Sequence, residues 1–141
     1  MKHFEFFQKY PSTRKSISNV KHALQKLQEA VTLPETQLHY ISLCVIEAFT
    51  NAIVHGNQIE PTQFVELHIV IEETEAKICI TDQGFGFDKQ AISNPLDIEN
   101  LLKDSGRGVF IMNNFCQKLD YTYNQRGFSV LMQFDLNENT N

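Results

Sequence analysis

The chain has 141 residues, 42% hydrophobic and 21% charged, with a net charge of −5, which suits one folded unit over 1–141 with a core that needs no staples. That acidic balance, with a pI near 5.5, counts against the basic surface that phosphate backbones require, so no direct nucleic-acid partner is expected. The N-terminus mixes Lys2, Glu5 and Lys9 with Phe4, Phe6 and Phe7 and has no signal-peptide core. No stretch reads as approaching the roughly 18 apolar residues of a membrane span, so a cytoplasmic protein is expected.

The first segment, 3–8, alternates Phe4 and Phe6 with polar residues and reads as a strand ended by Tyr10-Pro11. A helix follows, with Ser16 or Ser18 as its cap. Val20, Ala23, Leu24, Leu27, Ala30 and Val31 recur at helical spacing, while Lys21, Gln25, Lys26 and Glu29 lie outside. A second helix starts at Pro34, suited to the first helical position, and carries Leu38, Ile41, Val45, Phe49, Ala52 and Ile53 to a stop at Gly56.

After turn-like residues 57–62, two β-branched segments, 64–72 and 76–82, form a hairpin through Glu73-Thr74-Glu75. Residues 83–108 hold Gly84, Gly86, Gly106 and Gly108, an Asn94-Pro95 break and a short helix near 97–103, the make-up of a mobile lid. A buried helix over 109–115 and a closing hairpin, 119–124 with 128–136 around Gln125-Arg126-Gly127, complete the chain. Short turns between consecutive strands predict an α+β two-layer sandwich, helices on one face of a mixed, mainly antiparallel sheet. Cys44, Cys79 and Cys116 are odd in number, far apart and set among apolar residues, as reduced core thiols are.

Three short motifs carry chemistry. Glu47, Asn51 and His55 recur every four residues, a polar row on one helix that also suits a solvated face. Asp82-Gln83-Gly84-Phe85-Gly86 follows a strand, where a carboxylate can accept from an adenine amine and two glycines let backbone approach a ligand; a tight turn has the same look. Ser105-Gly106-Arg107-Gly108 opens a helix, whose free amides and the Arg107 charge favour phosphate, although a hinge capped by serine reads alike. The spacing is not that of a P-loop.

Taken in order, the motifs resemble a known family. Residues 47–56, Glu-Ala-Phe-Thr-Asn-Ala-Ile-Val-His-Gly, are similar to the N box of GHKL (Bergerat-fold) ATPases in the form found in bacterial anti-sigma-factor serine/threonine kinases. Residues 82–87 resemble the G1 box, and Gly106-Arg107-Gly108-Val109-Phe110-Ile111-Met112 the G2 box. The resemblance covers nearly the whole chain and implies a Bergerat-type ATP-binding fold with ATP and Mg²⁺ as cofactors. By carry-over, Asn51 would coordinate Mg²⁺, Asp82 would hold adenine, Gly84, Gly86, Gly106 and Gly108 with Arg107 would shape the pocket and lid, and Glu47 would be the general base.

The activity so implied is an ATP-dependent protein serine/threonine kinase acting as an anti-sigma factor. It would phosphorylate a small antagonist protein and bind a sigma factor or similar regulator in a partner-switching system, with a homodimer as a further expectation. The alternative is a nucleotide-binding regulatory module without kinase activity. Asp104 leans that way, standing where family members often carry a basic residue before the G2 serine. A free-standing sensor histidine kinase is not expected, because no dimerisation helix with a phospho-accepting histidine is visible.

Overall fold

The computed structural model describes residues 3–83, 115–124 and 127–136. Strand β1, Phe4–Pro11, runs through Tyr10-Pro11 rather than ending before it. It is an edge strand, and Pro11 closes its pairing opposite Phe64; at an edge a missing N–H is tolerated. Helix α1, Arg14–Ala30, is capped by Thr13, whose hydroxyl accepts the Ser16 amide at 3.4 Å, so neither Ser16 nor Ser18 is the cap. Val20, Ala23, Leu24 and Leu27 are the buried stripe.

Helix α2, Glu35–Asn51, begins one residue later than expected: Pro34 has ψ 141 and stands outside it as the cap. The helical run then widens and ends at Gly56, where the sequence places its stop. Ala52–Gly56 is a π-helical turn, in which the Asn57 amide reaches back five residues to the Ala52 carbonyl at 2.8 Å. Gln58 and Ile59, with φ 54 and 55, end it. Two successive non-glycine residues in the left-handed region, one of them β-branched, are a strained exit.

Strands β2 (Phe64–Ile71), β3 (Glu75–Asp82), β4 (Lys118–Asn124) and β5 (Gly127–Asp135) complete a five-stranded sheet of order β1-β2-β3-β5-β4. Every pairing among the described residues is antiparallel, in keeping with the mainly antiparallel sheet that the sequence predicts. Alternation sets the layers: Val65, Leu67, Ile69 and Ile71 of β2, Ala76, Ile78 and Ile80 of β3, and Phe128, Val130, Met132 and Phe134 of β5 are buried. They form one core with α1 and α2.

The run Glu35–Gly56 is long and apolar enough, by length and composition, to cross a membrane, contrary to the sequence expectation. Ile41, Cys44, Val45, Ala48, Phe49 and Ile53 are all buried in the core, and that packing accounts for its apolarity. Of the expected helix over 109–115, only Phe115 is described. It is helical and stacks on Tyr40, centroids 4.1 Å apart.

Candidate functional site

Asp82 is the last residue of β3 and points to the helical side of the sheet, in register with the buried Ile78 and Ile80. It is 3% exposed. A carboxylate so buried needs a compensating environment, and the backbone around it is shaped to leave room. A Cβ built on Gly56, at the end of the π-turn, would overlap the Asp82 carboxylate, with Oδ1 2.9 Å away. Gly127, with φ 137, lies so close that its Cβ would overlap the Asp82 carbonyl. Two glycines from distant parts of the chain thus flank one aspartate, on its side chain and on its backbone.

The absence of a side chain is the reason for glycine at 56. The helical run ends at Gly56 as expected, but its φ is not in the left-handed region, where Gly127 is the one described glycine. The π-turn packs against β3. Bonding from i to i+5 in place of i+4 adds a residue to the turn, which takes His55 off the four-residue spacing of Glu47 and Asn51.

Asn51 is the last residue of α2 and is 6% exposed; its Nδ2 is buried with no hydrogen-bond partner among the described residues. A half-turn of the carboxamide about its last torsion would present the oxygen there instead. Glu47, one helical turn earlier, is half-buried. The polar row is therefore not a solvated face: both residues are withdrawn from water, and Asn51 almost fully.

Asn57, read from sequence only as part of a turn, is 1% exposed and fully engaged. Its Nδ2 donates to the Ser12 hydroxyl at 2.8 Å and to the Phe64 carbonyl at 3.1 Å, and its Oδ1 accepts the Gln83 amide at 2.9 Å. One carboxamide so joins the end of β1, the start of β2 and the residue after Asp82. Gln83 in turn accepts the Phe64 amide through its side-chain oxygen at 2.6 Å. An asparagine beside a glycine carries no sequence signal for such a role; the partners are 45, 7 and 26 residues away.

The structure therefore sets the helix bearing Glu47 and Asn51 against the strand ending in Asp82. Gly84, Gly86, Gly106, Arg107 and Gly108, together with Asp104 and the expected lid, lie outside the described residues. No group of three or more His, Cys, Asp or Glu side chains that could hold a metal occurs among the described residues.

The sheet is antiparallel and backed by two long helices, with a buried aspartate closing β3 against the end of the second helical run. The chain belongs to the histidine kinase-like ATPase domain family, which matches residues 10–134. It is 35% identical over 91 residues to the anti-sigma F factor of Bacillus cytotoxicus, a match covering 63% of this chain and 62% of that one. It is 38% identical over 85 residues to that of Shouchella clausii, covering 59% and 58%. These matches span less than two thirds of either relative. A Bacillus cereus anti-sigma F factor is 33% identical over 116 residues, covering 81% of this chain and 78% of its own length. The fold is also that of the Erythrobacter litoralis EL346 blue-light activated histidine kinase, with TM-score 0.58 and 17% identity over 89% of this chain and 42% of that one.

Proposed function

We propose that this protein is an ATP- and Mg²⁺-dependent protein serine/threonine kinase that works as an anti-sigma factor, phosphorylating a small antagonist protein in the cytoplasm. One observation carries the nucleotide part: the buried Asp82 carboxylate, seated on Gly56 at the foot of the helix that bears Asn51 and Glu47. The kinase part is supported by family membership and by the name anti-sigma F factor that its relatives share.

The residues suit the ligand. A buried carboxylate accepts a hydrogen bond from the exocyclic amine of adenine, which selects that base over one with a carbonyl in the same place. Asn51 has a buried amide end without a described partner, and its oxygen would hold Mg²⁺, an ion that takes few protein ligands when nucleotide phosphates and water complete its shell. When bound, ATP supplies the phosphoryl group and the metal offsets its charge. Glu47 accepts the proton of the antagonist's hydroxyl as its oxygen bonds to phosphorus and ADP departs. The sigma factor would share the surface that binds the antagonist, and phosphate on the antagonist would break that contact by charge and bulk.

The test is transfer of label from γ-³²P-ATP to the cognate antagonist by wild type and by Glu47→Ala. Transfer by wild type that falls about 10²-fold or more in the variant is expected; equal transfer by the two removes Glu47 from the chemistry. The second reading, a nucleotide-gated binding module, is favoured by Asp104 in place of a basic residue. It requires ATP binding by wild type with no transfer to any antagonist.

A further inference from the structure

We propose that Asn57 is the positioning residue of the adenine-reading carboxylate, holding Asp82 through the backbone amide of Gln83; this rests on the nucleotide assignment above. Asp82 ends its strand, and a side chain at a strand end is only as well placed as the peptide that follows it. That peptide is held by the Asn57 oxygen at 2.9 Å. Both Asn57 N–H groups are committed elsewhere, to Ser12 at 2.8 Å and Phe64 at 3.1 Å, so the carboxamide has no freedom to turn. Asn57 is itself buried, where an exchange of partners with water is costly, and its bond to the exposed Gln83 is half-buried.

The geometry links position 57 to Asp82 a second way. Asn57 follows Gly56 directly, and its own amide closes the π-turn on the Ala52 carbonyl at 2.8 Å. The residue that holds the peptide after Asp82 thus also sets the backbone on which the Asp82 carboxylate rests. Losing the carboxamide frees the peptide after Asp82, while the backbone bond that closes the π-turn remains. Asn57 need not touch the nucleotide: it acts through Asp82.

A role confined to stability and a role in base reading differ in one measurable ratio. Calorimetry at constant Mg²⁺ compares ADP with purine riboside 5′-diphosphate, which lacks only the exocyclic amine, for wild type and Asn57→Ser. Wild type should prefer ADP by about tenfold or more, the worth of a hydrogen bond to a charged acceptor. In Asn57→Ser that preference should shrink to about twofold or less through loss of ADP affinity, with the analogue bound much as before. A parallel fall in both affinities, leaving the ratio intact, overturns the positioning role while the nucleotide assignment stands. A wild type that binds neither nucleotide, or both equally, overturns the assignment of Asp82 to adenine and the inference with it. Should Asn57→Ser fail to fold, hydrogen exchange on the wild type decides: the Gln83 amide should exchange at least about 100-fold slower than an unprotected amide, and exchange at the unprotected rate refutes the clamp.

Discussion

The α-carbon of Gly56 faces the carboxylate of Asp82 so closely that no side chain fits between them. The π-turn at the end of α2 and the last residue of β3 are therefore matched surfaces, and the match forbids even a methyl group.

Alanine at position 56 should both destabilise the fold and disable the site. Overpacking of this kind costs about 1–3 kcal/mol, and the atom that must give way is the one assigned to adenine. Thermal melting should show a lowered midpoint, and calorimetry a loss of ADP affinity of about tenfold or more. A Gly56→Ala protein that binds ADP like wild type would show that Asp82 tolerates displacement and does not read the base.

Magnesium dependence should reside in Asn51. Chelation by EDTA is expected to weaken ATP binding by wild type, whereas Asn51→Ala should bind ATP weakly and show little further loss on chelation. If the variant responds to EDTA as strongly as wild type, the metal is held by other groups.

Stability should fall at alkaline pH. Hydrogen bonding to Cys44 at 3.9 Å, burial and the neighbouring thiol together push the Cys116 thiol above its ordinary 9.0, and burial pushes Tyr10 above its ordinary 10.0. Both groups are raised in the folded state, so their contribution is fully present below the unfolded values and is lost as pH rises past them toward the folded ones. Urea midpoints should hold from about pH 7 to about pH 8.5 and decline above pH 9, first from Cys116 and then from Tyr10. A Cys116→Ala variant should lose the earlier part of that decline, and an unchanged profile would remove the thiol pair as its cause.

Much of the layering was readable because burial imposes a period. The apolar stripe of α1 and the alternation in β2, β3 and β5 mark the face each element buries, and Asp82 falls in phase with Ile78 and Ile80. Cap positions were less legible: Ser12, Thr13, Ser16 and Ser18 all offer hydroxyls near one helix start, and only the fold decides that Thr13 bonds the Ser16 amide. The helical run ends at Gly56 as expected, but nothing in residues 52–56 marks them as a π-turn, and Gln58 and Ile59 have no propensity for the conformation they adopt after it. The work of Gly56, Asn57 and Gly127 is long-range, set by approach to Asp82 and Gln83. In sequence, the same residues are indistinguishable from ordinary turn formers.

The extra residue in the π-turn is absorbed where it stands. A π-turn holds about one residue more than an α-turn, so the chain beyond 52–56 leaves in nearly the direction that an unbroken α-helix would give it. The surplus is thus confined to the wall that faces Asp82, and the packing of α2 upstream and of β2 downstream is spared its effect. A length change elsewhere in α2 would have no such local outlet.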